Sequence, residues 1–245
     1  MNIISKSIPP LFSILLQLSS LNTALLIERE EDTFQFSEFP FVSLYTNSVI
    51  WSVYAFLKRD IYVFTPNFTG FLIGLFASIT FSLNSPKDHQ FPTASHTASF
   101  SCLILTLMFF VSNQVFCIGI MGNFLAVIVL GSPLATLATV FEHKSTSSMP
   151  FATSLLSFIN ASAWALYGVL VVNDPLIYAP NFCGGILSLV QLIIFCIFGI
   201  SNEREESSEE LHTIHRDYYR DFHCDYSSAG RTDNEEASEY ENECW

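Results

Sequence analysis

The chain has 245 residues, of which 50% are hydrophobic and 13% charged, with 24 Phe and a positive mean hydropathy of +0.40. A soluble domain carries about 25% charged residues, so this is the composition of a membrane protein. The formal charge of -13 belongs mainly to the tail: residues 201–245 hold 14 acidic and 4 basic side chains, against 9 and 6 in residues 1–200. It therefore gives no argument for a nucleic-acid partner of the body.

Seven apolar segments succeed one another along the chain. The first, 8–27, is interrupted by Gln17, Ser19, Ser20, Asn22 and Thr23 and ends at the cluster Glu28-Arg29-Glu30-Glu31-Asp32. Lys6 ahead of this run resembles the start of a signal peptide, but the run lacks a small-x-small cleavage site and is read as a retained membrane helix. The second segment runs from Phe39 to Leu57 and stops at Lys58-Arg59-Asp60, and the third covers Ile61 to Phe81. A loop with Pro86, Lys87, Asp88, His89 and Pro92 precedes the fourth, about 97–116. A break at Cys117–Gly119 leads to the fifth, about 120–141, with a sixth at 150–172 and a seventh at 175–200. Each is close to the ~20 residues that cross the hydrocarbon layer as a helix, and lone strands cannot satisfy their backbone there. Segment 201–245, poor in hydrophobes and rich in charge, is expected to be disordered.

The segments contain an internal repeat at a spacing of 113. Asn47, Trp51, Tyr54 and Ala55 correspond to Asn160, Trp164, Tyr167 and Gly168, and Thr23 and Thr33 to Thr136 and Thr146. Downstream, Asp60 pairs with Asp174 and Pro66-Asn67-Phe68 with Pro180-Asn181-Phe182, each after one additional residue in the second copy. The expected fold is an all-α membrane protein of seven transmembrane helices, built as two parallel three-helix bundles joined by an inversion helix (3+1+3). The odd linking helix restores parallel orientation of the copies, an arrangement known among transporters. The expected organisation is 1–81 as the first bundle, 82–119 as cytoplasmic loop and inversion helix, 120–200 as the second bundle and 201–245 as the acidic tail.

Cys102, Cys117, Cys183 and Cys196 lie in apolar segments and Cys224 and Cys244 in the tail, which is no disulfide or metal pattern. No P-loop, nucleophile triad or Cys/His cluster appears, so no enzyme, cofactor or metal is expected. Asn67 and Asn181 occupy matched positions about two turns inside the third and seventh helices. An amide offers one acceptor and two donors, complementary to sugar hydroxyls, and is costly in hydrocarbon if unused. The residues alone leave open whether each amide contacts a solute or merely satisfies a neighbouring helix. Trp51 and Trp164 can anchor at the interface or stack an indole face on a pyranose. Pro40, Pro133 and Pro150 either start helices or loosen them as hinges.

The second triplet also resembles the SWEET family of sugar transporters. The residues that carry the likeness are Gly131-Ser132-Pro133-Leu134, Lys144-Ser145-Thr146, Met149-Pro150-Phe151, Asn160, Trp164, Tyr167 and Pro180-Asn181, and it extends over roughly 20–200. The resemblance implies facilitated diffusion of a mono- or disaccharide, in either direction, by alternating access. It implies a pocket of Asn47, Asn67, Trp164 and Asn181, flanked by Trp51, with Pro40, Pro133 and Pro150 as pivots. It further implies a multi-pass plasma-membrane or organelle-membrane protein able to associate as a homo-oligomer. Asp60 and Asp174, at equivalent helix ends, either line an outer gate with Tyr54 and Tyr167 or are simply solvated at the membrane boundary. The tail is read as cytoplasmic, because an unstructured acidic segment is easier to leave untranslocated. The chain departs from the pattern at Ser20, where a fourth proline would stand, in the acidic cluster 28–32, and at Asn47, where a small residue is usual. The competing readings are a non-transporting membrane scaffold of the same fold and a carrier of another small polar solute.

Overall fold

The computed structural model describes residues 3–33, 36–85, 93–129, 131–146 and 149–199. The acidic segment 201–245, whose disorder the sequence predicts, lies outside the described residues. The described elements are helical: α1 (Ile3–Glu30), α2 (Phe39–Lys58), α3 (Ile61–Asn84), α4 (Ala94–Val111), α5 (Val115–Val129), α6 (Gly131–His143), α7 (Phe151–Tyr167), a π-helical turn (Gly168–Val172) and α8 (Pro175–Phe198). Among the described residues, five stretches are long and apolar enough to cross a membrane: Lys6–Glu30, Ile61–Asn84, Ala94–Val111, Phe151–Val172 and Pro175–Phe198. Their outer faces carry exposed Leu72, Leu107, Val111, Ile186 and Ile197, as a lipid-facing surface requires. The chain is an all-α membrane protein. Helix α2 is less apolar because Ser43, Thr46, Ser48 and Ser52 are turned into the protein and buried.

Two segment boundaries differ from expectation. The fourth segment ends at Val111 and the link is Ser112–Gln114, not Cys117–Gly119. Asn113 takes a left-handed backbone (φ 54°), which Asn tolerates better than most residues. Gly119 stays helical instead, because its missing side chain admits Leu176 and Tyr54: a Cβ would stand 2.5 Å from Leu176 Cδ1. The fifth segment accordingly starts at Val115 rather than about 120; it is described as α5 up to Val129 and as α6 from Gly131, which contains Pro133, and residue 130 lies outside the described residues.

Helix α3 packs against both α1 and α2, α7 against α8, and the two sets meet where α1 contacts α7 and α2 contacts α5. The α2–α3 contact depends on Gly74, where a Cβ would lie 2.6 Å from the Tyr45 backbone nitrogen. Backbone cannot step aside as a flexible side chain can. Gly74→Ala is therefore expected to lower stability by about 1–3 kcal/mol through forced separation of the helices, read as a lower melting temperature in detergent. Helix α4 is fastened to this first set by buried polar groups. His96 Nε2 lies 3.0 Å from Ser78 Oγ of α3, and its Nδ1 lies 2.5 Å from Glu38 Oε1, which immediately precedes α2. Thr46 and Ser99 place their hydroxyls 2.6 Å apart across α2 and α4.

The repeat is visible in the backbone. Among the described residues, five non-glycine residues have positive φ, and four form repeat-equivalent pairs: Glu31 with Lys144 and Arg59 with Asn173, each just beyond a helix end. The turn Phe36 N–H to Thr33 O recurs as Met149 N–H to Thr146 O, with Thr33 and Thr146 both buried. The additional residue of the second copy is taken up by the π-helical turn. Asp60 N–H donates to Ala55 O, and Asp174 N–H donates to Gly168 O, the matching carbonyl one residue further back. Such single-turn expansions absorb an inserted residue and leave the downstream register intact. Asp60 and Asp174 thus both cap the next helix, accepting from Tyr62 and Val63 N–H and from Leu176 N–H respectively.

Candidate functional site

A cavity of about 170 Å³ lies where α1, α2 and α3 face α7 and α8. Its lining brings together Asn47, Asn67, Trp164 and Asn181 with Trp51, and adds Ser13, Gln17 and Asn160. Asn67 Nδ2 donates to Val63 O and Asn181 Nδ2 to Ile177 O, both at 2.7 Å. The carbonyls bonded are themselves repeat equivalents. Each amide so oriented keeps its oxygen and a second N–H for an occupant of the cavity.

Pro180 has no N–H, which leaves the carbonyl of Leu176 without its helical donor. Asn123 of α5 supplies one at 3.1 Å, while the same nitrogen reaches Gly119 O at 3.0 Å. Asn123→Leu orphans the Leu176 carbonyl and is expected to cost about 1–3 kcal/mol, measured as a lower denaturation midpoint with α5 loosened from α8.

The indole N–H of Trp164 donates to Ser13 Oγ at 2.7 Å, and Ser13 donates onward to Asn160 Oδ1 at 2.9 Å. This chain of bonds ties α1 to α7 across the two halves. Gln17 was legible only as a polar interruption of an apolar run, and Ser13 was not singled out at all. Asn160 was visible as the match of Asn47 but carried no role.

One end of the cavity is closed by reciprocal bonds between the repeats. Tyr54 O–H donates to Asp174 Oδ2 at 2.5 Å, and Tyr167 O–H donates to Asp60 at 2.9 and 2.8 Å to its two oxygens. Lys58 Nζ stands 3.1 Å from Asp174 Oδ2. Ile50, Tyr54, Ala55, Val63, Trp164, Tyr167 and Ile177 pack into one buried cluster around these bonds. Beyond the repeat-equivalent pair Val63 and Ile177 lies a separate pocket of about 180 Å³ that includes Lys58, Asp60, Val172 and Asp174. At the opposite end, Asn47, Trp51 and Asn181 border a wider space of about 560 Å³ that reaches Ser20, Phe39, Pro40 and Pro180.

Pro40 is the second residue of α2 and Pro150 caps the start of α7, so both open helices. Ser20, at the place of a fourth proline, lines the wide space opposite Pro40. No group of three or more His, Cys, Asp or Glu that could hold a metal occurs among the described residues.

A membrane-spanning body with a polar cavity between two repeats, sealed at one end and widening at the other, has the form of a solute carrier. The model of the family of sugar efflux transporters for intercellular exchange matches residues 7–89 and 116–203. The chain belongs to this family, the SWEET or MtN3 proteins, which are transporters rather than enzymes. It is 27% identical to the bidirectional sugar transporter N3 of Medicago truncatula over 81% of this chain and 76% of that one. Against the bidirectional sugar transporter SWEET1 of Arabidopsis thaliana it is 29% identical, over 75% and 77% of the two chains. The fold is similar to that of a eukaryotic SWEET transporter solved at 3.7 Å, with a TM-score of 0.67, 23% identity and coverage of 80% of this chain and 95% of the other.

Proposed function

We propose that the chain is a bidirectional facilitative sugar transporter, carrying a mono- or disaccharide down its gradient by alternating access. Membership of the family supports the activity, and one observation carries the mechanism. The cavity that holds the matched amides Asn67 and Asn181 is closed at one end by Tyr54–Asp174 and Tyr167–Asp60 and widens at the other. This is the shape of a carrier in one of its two states. The 3+1+3 arrangement then has α1–α3 as the first bundle, α4 as the inversion helix, and α5–α6 together, α7 and α8 as the second. The equivalence of the α1–α7 and α2–α5 contacts supports it. In this reading Asn47, Asn67, Trp164 and Asn181 hold the sugar, Pro133 is a pivot within the fifth segment, and Pro40 and Pro150 let their helix starts tilt. The protein sits in the plasma membrane or an organelle membrane with its tail in the cytoplasm, alone or as a homo-oligomer.

The test is uptake and efflux of labelled glucose and sucrose in transport-null cells expressing the chain. Flux of either sugar in both directions, without an energy source and abolished when the gradient is removed, is the expected result. Absence of flux for both, with the protein confirmed in the membrane, overturns the proposal in favour of a scaffold or a carrier of another polar solute.

A further inference from the structure

Two hydrogen-bond acceptors in the central cavity have no donor. Gln17 Oε1 and Asn47 Oδ1 are both buried and unpartnered, and both residues line the same space of about 170 Å³. The amide of Gln17 is held in one orientation, because its Nε2 donates to Pro66 O at 3.1 Å. Gly70 provides the room: a Cβ there would stand 2.8 Å from that nitrogen and 2.5 Å from Ser48 Oγ. With the nitrogen fixed on α3, the oxygen is the atom left for the cavity.

The opposite wall differs. There Asn160 Oδ1 already accepts from Ser13, and the Trp164 N–H is already donated to Ser13. At the repeat spacing, Ser13 and Gln17 correspond to Ala126 and Leu130, so the second copy has no matching polar pair on its first helix. Asn47 therefore lacks the hydroxyl that satisfies Asn160. The repeat-equivalent pair is therefore asymmetric: the Asn160 oxygen is satisfied within the protein, whereas Asn47 and its neighbour Gln17 each present a buried acceptor without a donor.

A buried amide acceptor left without a donor destabilises the fold, and two in one cavity point to an occupant that donates. We propose that Gln17 is a substrate-contacting specificity residue. It acts with Asn47 as an acceptor pair that takes protons from two sugar hydroxyls and fixes which face of the sugar lies toward α1 and α2. This rests on reading the cavity as the sugar site.

Fluorine in place of a hydroxyl keeps the size and the acceptor but removes the donor. The experiment is competition of labelled glucose uptake by glucose bearing a single fluorine at each hydroxyl-bearing carbon in turn. In the unchanged chain, fluorine at two positions is expected to weaken competition about tenfold, the value of one good hydrogen bond. In Gln17→Met, the penalty at one of these positions disappears while the other persists, and in Asn47→Ala the pattern is reversed. A flat profile in the unchanged chain overturns the proposal whether or not the variants fold, and so does a Gln17→Met profile identical to the original. Asn67→Ala and Asn181→Ala serve as controls for the underlying reading. If they retain uptake, the cavity is not the sugar site. If they lose it while the fluorine profile is flat, only the acceptor pair falls.

Discussion

Alanine at Asn67 or Asn181 is expected to reduce sugar uptake at least tenfold at equal abundance in the membrane, and alanine at both to reduce it to background. Each amide holds its own helix by one bond and keeps an oxygen and an N–H for an occupant of the cavity. Loss of one or two ligand bonds is worth roughly 1–3 kcal/mol, or about tenfold to a hundredfold. The fold has little to lose. The carbonyls of Val63 and Ile177 are intrahelical acceptors that retain the backbone donor four residues on, so removing the amide strands no backbone group. Serine separates the two roles, since a serine can make the same bond to the carbonyl one turn back but cannot reach an occupant as an amide does. Asn181→Ser is accordingly expected to be as impaired as Asn181→Ala. Recovery of uptake in the serine variant would show that the amide matters to its own helix and not to the sugar.

Much of the fold was legible because the repeat constrains it twice. The spacing of 113 aligns the helix-closing residues Glu31 with Lys144, and the single inserted residue aligns Asp60 with Asp174, where the π-helical turn absorbs it. Three features were not legible, each for a physical reason. The end of α4 was misplaced because Gly119 reads as a breaker in sequence, whereas in the fold it is a packing surface for Tyr54 and Leu176. Polar residues on α1 read as defects in a membrane helix until its partners were known: Ser13 meets α7, and Gln17 meets α3. The crossing of the tyrosine–aspartate bonds was also invisible. Sequence matches Tyr54 with Tyr167 and Asp60 with Asp174, but only the packing of the two sets of helices against each other makes each tyrosine reach the other copy's aspartate.

That crossing makes the second large effect asymmetric. Replacing both Tyr54 and Tyr167 by Phe keeps the aromatic packing, in which Trp51 lies 5.3 Å from Tyr54 and Trp164 lies 5.4 Å from Tyr167, edge to face. It cuts both hydroxyl bonds between the halves while leaving the aspartates to cap α3 and α8. A hydrogen bond to a charged group contributes roughly 1.5–3 kcal/mol, so each loss shifts the balance toward an open end by about tenfold or more. The readout is the rate at which a membrane-impermeant thiol reagent, added on the closed side, modifies Asn160→Cys, which lines the cavity of about 170 Å³ behind the closure. The same variants without that cysteine report the background from the chain's own cysteines, of which Cys183 and Cys196 are exposed and Cys102 and Cys117 partly buried. The double variant is expected to be labelled at least tenfold faster than Asn160→Cys alone. Between the single changes, Tyr167→Phe should have the larger effect. Lys58 of α2 still holds Asp174 at 3.1 Å when Tyr54 is changed, whereas the described structure shows Asp60 held across the halves by Tyr167. Lys58 is half exposed, so this residual hold should weaken as salt is raised, bringing Tyr54→Phe toward Tyr167→Phe. Equal labelling of all variants would mean that the tyrosine–aspartate bonds tie the halves together without controlling access, and that the end is kept shut by the packing of Ile50, Val63 and Ile177 alone.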